Sequence, residues 1–243
     1  MLKAVLFDLD GTLLPMDQDV FVNYYFSLLA EKLAPYGYEP KGLIDTIWKG
    51  ISEEMRNDGS RPNSEVFWDV FTSVYGKDSR EHESVFEEFY RNEFNKVKSV
   101  CGPSPKADGI VKMLKGTGCI VILATNPIFP KIATDDRIEW AGLDKDDFDL
   151  ITTFENCGLC KPNPDYFRYL LNKFNLGPDE CIMVGNDVDE DMVASELGMK
   201  VFLMDHSIIN KKDRDLSGYP KGGFDELKAF LMKELSEDRS LER

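Results

Sequence analysis

Two carboxylates one residue apart, Asp8 and Asp10, stand where the apolar run Ala4-Val5-Leu6-Phe7 breaks into Gly11. Acids held so close repel unless a cation neutralises them or one takes up a proton, and hard oxygen donors around a small open site suit Mg²⁺. Such a pair could also simply cap a turn, as Asp often does. The rest of the chain argues for chemistry, because the pattern of apolar run followed by polar tip recurs. Cys119 to Ala124 leads into Thr125-Asn126-Pro127, and Cys181 to Val184 leads into Gly185-Asn186-Asp187, with further acids at Asp189, Glu190 and Asp191. Between them, Lys161-Pro162-Asn163-Pro164 puts a cation in a turn ahead of the helix-like stretch Asp165 to Phe174. Carboxylates, hydroxyl, ammonium and acidic cluster follow one another in that order.

The elements that must position these groups are legible. Short apolar runs of this kind form buried parallel strands, and ligands of open α/β sheets bind outside the strands' C-terminal ends. A helix near 106–116 precedes the Cys119 strand, and a helix near 130–140 and a strand near 148–153 follow it. A helix over 165–175, the Cys181 strand, a helix over 188–197 that Gly198 ends, and the Val201 to Met204 strand complete the alternation. This predicts an α/β fold with a doubly wound parallel sheet. Lys211 to Gly223 reads as a surface loop, and Phe224 to Leu235 as a final helix with a charged, fraying tail.

The four tips resemble the motifs of the haloacid dehalogenase-like hydrolase superfamily, which run through nearly the whole chain in that family's order. Asp8-Leu9-Asp10-Gly11-Thr12 corresponds to its first motif, Thr125 to the second, Lys161 to the third, and Gly185 to Asp191 to the fourth. The resemblance implies a Rossmann-like core with an inserted helical C1 cap and a Mg²⁺-dependent phosphohydrolase. In it Asp8 would be the nucleophile that becomes an aspartyl-phosphate. Asp10 would be the acid that protonates the leaving group and later activates water. Thr125 and Lys161 would hold the phosphoryl oxygens, and Mg²⁺ would bridge Asp8, the Asp10 carbonyl and an acid of the fourth motif. The family's dehalogenases generally lack the second aspartate, so Asp10 points to phosphate esters. Physical chemistry supports the same roles. A dianionic phosphate approaching a carboxylate needs an ammonium and a divalent cation, and a carboxylate nucleophile splits the displacement into two easier steps. The N–H groups of Leu9, Asp10 and Asn126 are further donors to the phosphoryl oxygens.

The fourth motif departs from the family pattern, with Asn186 where Asp is usual and Asp187 following it. Asp187 and Asp191 keep the family's spacing of two acids, one residue downstream. Asp187 is therefore favoured as the metal ligand, with Asn186 the other candidate and Asp191 orienting Lys161 or a metal-bound water. Asp189 and Glu190 read as favourable charges in the first turn of a helix.

Between the first and second tips the chain changes to amphipathic helical stretches, near 19–34, 40–57, 63–75 and 80–96. They predict a helical cap over residues 17–99, inserted into a core of residues 1–16 and 100–243. Its aromatics Tyr24, Tyr25, Trp48, Phe67, Trp68 and Phe71 read as bundle core before substrate cage. Lys41, Lys49, Arg56 and Arg61 are candidates for contacts to the leaving group, although each is more simply a solvated charge. By the resemblance Lys49 could form a Schiff base, but nothing local marks it as buried.

A formal charge of −15 on 243 residues argues against nucleic-acid and anionic-membrane partners, leaving a small phosphorylated metabolite as the expected one. No run of 18 or more apolar residues occurs, and the N-terminus leads directly into the first strand, so a cytoplasmic setting is expected. The five cysteines read as reduced thiols. Cys157 and Cys160 form a CxxC just ahead of Lys161, more simply loop residues than a zinc site or redox switch. Two rivals stay open: a β-phosphoglucomutase-like phosphotransferase, and a binding protein that keeps the fold without turnover.

Overall fold

A computed structural model of the chain describes residues 1–241. Six strands, Ala4–Phe7 (β1), Ile120–Leu123 (β2), Leu150–Ile151 (β3), Cys181–Gly185 (β4), Lys200–Met204 (β5) and Lys221–Gly222 (β6), form one parallel sheet. Their spatial order is β3-β2-β1-β4-β5-β6. Every residue of β1 is fully buried, as its unbroken apolar run requires of a strand covered on both faces. Val5 and Phe7 enter one core, and Ala4 and Leu6 the other.

The topology makes β1 the point from which the chain leaves in both directions. β2 and β3 lie on one side of it, and β4, β5 and β6 on the other. Phe7 pairs with both Leu123 and Val184, so the tips of β1, β2 and β4 end level with one another. A crevice at such a switch point is where open α/β sheets take ligands.

Gln18–Leu33 (α1), Pro40–Glu54 (α2), Asn63–Tyr75 (α3) and Glu83–Arg91 (α4) form a helical insertion after β1. Local chemistry starts them: the Asp17 carboxylate accepts the Val20 N–H at 3.1 Å, and Glu39 caps α2 just ahead of Pro40. Phe71 is fully buried at their centre, with the rings of Trp68 and Phe86 both 5.4 Å away. The chain enters and leaves the insertion side by side, where Met16 and Cys101 bridge and the Gly102 N–H donates to the Pro15 carbonyl at 2.9 Å. Pro105–Gly116 (α5), Lys131–Trp140 (α6) and Phe224–Leu241 (α8) cover the same sheet face as the insertion. Pro164–Phe174 (α7) covers the other.

Several elements differ from the sequence expectation. The helix expected over 80–96 is interrupted at Asn92, whose side chain donates to the Glu88 carbonyl at 2.9 Å and takes the backbone out of helical geometry. Short 3-10 turns flank α4 on both sides. The helix expected over 188–197 is reduced to a 3-10 turn over Met192–Leu197, because the preceding residues are held in a loop by the carboxylates of Asp187 and Asp191. The loop expected over 211–223 contains β6, and α8 continues past the expected end at Leu235. The last two residues of the charged tail lie outside the described residues. Among the described residues, no helix is long and apolar enough to cross a membrane.

Candidate active site

The level strand tips bring the expected groups together over one cavity of about 1320 Å³, whose walls include Asp8, Asp10, Thr125, Asn126, Lys161, Asn186, Asp187, Glu190 and Asp191. Asp8 is 7% exposed at the end of β1, and its N–H continues the ladder to the Val184 carbonyl at 2.9 Å. Gly11 follows with φ of +82°, and a Cβ there would lie 2.4 Å from Asn186 Nδ2. Only glycine both turns the chain and admits the fourth motif this closely.

Lys161 reaches the same point from the loop ahead of α7. Its Nζ donates to Asp8 Oδ1 at 2.8 Å and to Asp191 Oδ1 at 2.6 Å, and the side chain is almost wholly buried. Burial alone would disfavour the ammonium, but Asp191 and Asp8 outweigh it and hold the lysine well above its ordinary pKa. Asp191 is fully buried, and burial pushes its carboxyl up against the pull of Lys161. Its other oxygen accepts the N–H groups of Asn186 and Asp187, both at 3.0 Å. That carboxylate folds over Gly185, where a Cβ would come within 2.1 Å of it. Asp191 therefore orients Lys161 and shapes the loop.

Thr125 occupies the tip of β2. Its carbonyl accepts from the Thr152 hydroxyl at 2.6 Å and the Tyr166 hydroxyl at 3.0 Å, which fixes the turn while the residue lines the cavity. Asn126 spans two motifs, its Oδ1 accepting the Lys161 N–H at 2.8 Å and its Nδ2 donating to Glu190 Oε2 at 2.7 Å. Its amide side chain is thus a bracket within the site.

The fourth motif answers the test of whether a divalent cation suits this pocket. The Thr12 hydroxyl lies 2.8 Å from Asn186 Oδ1 and 3.1 Å from Asp8 Oδ2, so it draws both oxygens to one place. Asp187 Oδ1 is already used by the N–H groups of Asp189 and Glu190, at 2.8 and 2.9 Å. Burial pushes Glu190 up to about 8; Lys161 pulls it down while Asp187, Asp191 and Asp8 push it further up. The carboxylates of Asp8, Asp187 and Asp191 around it give the pocket surplus negative charge, which a hard cation with oxygen donors would relieve. Among the described residues, no three His, Cys, Asp or Glu side chains converge as a preformed cage.

One expectation needs correction. Glu190 is not a solvated charge of a helix's first turn: it faces the cavity and holds Asn126, whereas Asp189 pairs outward with Lys212 and Arg214. Tyr25, Trp48, Phe67 and Trp68 line the cavity while Tyr24 and Phe71 do not; Tyr25, Trp68 and Phe71 also belong to the buried core, and Trp48 is 48% exposed. Lys41, Lys49, Arg56 and Arg61 do not line the cavity; Arg56 pairs with Glu53 and Arg61 with Asp69. The CxxC belongs to the loop that docks on the insertion. The Asn63 side chain donates to Cys160 Sγ at 3.2 Å, and a Cβ on Gly158 would meet the Arg61 carbonyl at 2.0 Å.

The sequence reading missed Arg137, a wholly buried arginine on α6 that ion-pairs with Asp10. Its signal was present: Ala133, Thr134, Arg137, Ile138 and Ala141 fall at helical spacing, so the arginine interrupts an apolar stripe. Thr12 was also given no role of its own.

A family model for haloacid dehalogenase-like hydrolases matches residues 2–197, and the chain belongs to that family. One relative is a protein of Methanocaldococcus jannaschii named glyceraldehyde 3-phosphate phosphatase. It is 27% identical over 241 residues, covering 98% of this chain and all of the relative. Among solved structures, a phosphatase of the family from Thermococcus onnurineus aligns with a TM-score of 0.57 at 21% identity, over 95% of this chain and 98% of its own. A 2-haloacid dehalogenase from Pseudomonas syringae aligns with a TM-score of 0.62 at 22% identity, over 96% and 99%. Both structural likenesses are of fold, and that fold serves more than one chemistry.

Proposed function

We propose that this chain is a Mg²⁺-dependent phosphatase of a small phosphorylated metabolite, working through an aspartyl-phosphate at Asp8. The observation that carries the reading is the buried ammonium of Lys161 held between Asp8 and Asp191 at the end of β1, with Asp10 facing the same cavity. A buried triad of this kind is costly, and the ammonium, which spends two of its three N–H donors on Asp8 and Asp191, can give the third to a phosphoryl oxygen.

In this reading an Asp8 carboxylate oxygen attacks phosphorus while the bond to the leaving oxygen breaks, and Asp10 gives that oxygen a proton. Asp10 then takes a proton from water as the water oxygen attacks phosphorus, which frees inorganic phosphate and restores the Asp8 carboxylate and the protonated Asp10. Lys161, the Thr125 hydroxyl and the N–H groups of Leu9, Asp10 and Asn126 hold the phosphoryl oxygens. Mg²⁺ when bound would offset the charge of the phosphoryl group against the carboxylates. Asp8, the Asp10 carbonyl and an oxygen from the 186–187 pair would hold it. The hydroxyl shared between Asp8 and Asn186 supports Asn186 for that last position, with Asp187 contributing through water or charge.

The division into a core of residues 1–16 and 100–243 and a cap of 17–99 belongs to the same reading, supported by the Met16–Cys101 bridge where the chain crosses twice. The aromatic side of the cavity comes from that cap, so it would choose the leaving group. The five cysteines are free thiols, in keeping with a cytoplasmic setting. Release of phosphate from p-nitrophenyl phosphate, with and without Mg²⁺ and compared with Asp8→Asn, tests the proposal. Metal-dependent release that the variant loses by about a thousandfold or more is expected for a lost nucleophile. Equal rates from both proteins would overturn it.

A further inference from the structure

The cavity contains one arrangement that the phosphatase chemistry does not by itself call for. Arg137 is fully buried on α6, and every nitrogen of its head group is engaged. Nε donates to the Ala133 carbonyl at 3.1 Å, Nη2 lies 3.3 Å from the Thr134 hydroxyl, and Nη1 pairs with Asp10 Oδ2. The guanidinium carbon sits 4.2 Å from the centre of the Phe129 ring. Phe129 in turn packs edge-on against Tyr25 and Phe21 of α1, with ring centres 5.5 and 6.3 Å away. The arginine is thus locked on one side by its own helix and on the other by Phe129, which aromatics of the insertion buttress.

The consequence falls on Asp10. With Oδ2 held by Arg137, the remaining oxygen, Oδ1, is buried and has no hydrogen-bond partner. A carboxyl group that must meet a leaving oxygen, and later a water, has two chemically equal oxygens and a free rotor. Fixing one of them removes that freedom and sets the orientation of the whole carboxyl.

We propose that Arg137 is the positioning residue of Asp10, holding its carboxyl through Oδ2 in the one orientation from which it serves the leaving group and then the water. The proposal rests on the phosphatase reading above. Arg137 touches neither phosphate nor metal; it acts through Asp10, and the stack on Phe129 makes its placement depend on the closed packing of α1.

A residue that merely supports the fold would lower turnover of all esters alike. A residue that aims a proton donor matters in proportion to how much the departing oxygen needs the proton. The test therefore compares p-nitrophenyl phosphate, whose phenolate leaves unaided, with phenyl phosphate, whose phenolate is far more basic. Arg137→Met is expected to lower kcat on phenyl phosphate by about 100-fold and on p-nitrophenyl phosphate by less than about tenfold, within the range general acids contribute. Asp10→Asn should show the same selectivity, and the double variant should be no worse than Asp10→Asn alone, since one residue acts through the other.

Arg137→Lys keeps the charge and most of the volume without the planar head group, and it serves if the methionine variant does not fold. It should show the same bias toward loss on phenyl phosphate at smaller size. Equal losses on the two esters, or losses that multiply with those of Asp10→Asn, would overturn the assignment. Asp8→Asn is run beside them: if it retains activity the phosphatase reading itself fails, whereas an inactive Asp8→Asn with an unselective Arg137 variant rejects the clamp alone.

Discussion

Asp191 holds Lys161 with one carboxylate oxygen at 2.6 Å and the backbone of its own loop with the other, so the placement of the ammonium and the shape of the fourth motif depend on one side chain. Asp191→Ala leaves a buried ammonium with Asp8 as its remaining charged partner and two backbone N–H groups without an acceptor. Removing one member of a buried ion pair costs about 3–5 kcal/mol. Urea unfolding should show a loss of that order, and kcat on p-nitrophenyl phosphate should fall by at least about 100-fold as Lys161 loses its aim. A variant of unchanged stability would contradict the geometry.

Asn186 and Asp187 make distinguishable predictions for the metal. Asn186 Oδ1 shares the Thr12 hydroxyl with Asp8, whereas Asp187 Oδ1 is occupied by two N–H groups of its own turn. Asn186→Ala should therefore weaken Mg²⁺ binding, measured by calorimetry on the free protein, more than Asp187→Asn does. Asn186→Asp should strengthen it by adding charge beside Asp8. The reverse ranking would return the ligand role to Asp187.

Glu54 offers a test through stability. It is fully buried at the end of α2, neither oxygen has a hydrogen-bond partner, and burial pushes its carboxyl up to about 9. Between the ordinary glutamate range and that value, the folded chain keeps a proton that the unfolded chain releases. Stability is therefore lost as pH rises across this window, by up to about 1.4 kcal/mol per unit from this group, and the cost levels off above the folded value. Glu54→Gln removes the cost, so the variant should gain on the parent between pH 5.5 and about 8.5 in chemical unfolding. A constant difference across that range would count against a buried, neutral Glu54.

Lys49 and Arg56 of the insertion should be silent. Lys49 is exposed, and Arg56 is paired with Glu53 on the surface. Lys49→Ala and Arg56→Ala are expected to change kcat/KM by less than about twofold, as surface substitutions usually do little. Trp48→Ala, which opens the cavity wall, should raise KM for aromatic esters. An inactive Lys49 variant would revive a covalent role for that lysine.

What the sequence disclosed, and what it concealed, follows from where each residue's partners lie. Asp8, Thr125 and Lys161 were legible because each ends an apolar run or opens a helix, and a parallel sheet brings such tips together whatever lies between them. The parallel order of the sheet was legible for the same reason. Arg137 escaped because a lone arginine within a helix is normally a surface charge, and its partner Asp10 lies 127 positions away. Glu190 escaped because an acid after Asp187 fits a helix start, and it is the turn of the Asp187 and Asp191 carboxylates onto their own loop that abolishes that helix. Trp48 and Trp68 show the limit of periodicity: it identifies the inner face of a helix without saying whether that face meets a core or a cavity.

The central claim is that Asp8 carries the phosphoryl group during turnover. Acid quenching with p-nitrophenyl phosphate and Mg²⁺ present, borohydride reduction of the acyl phosphate to homoserine, and peptide mass spectrometry test it directly. The account predicts homoserine at position 8 of the parent chain and none in Asp8→Asn. Phosphate release at the parental rate by Asp8→Asn, or a reduced acyl group at any other carboxylate, would contradict it.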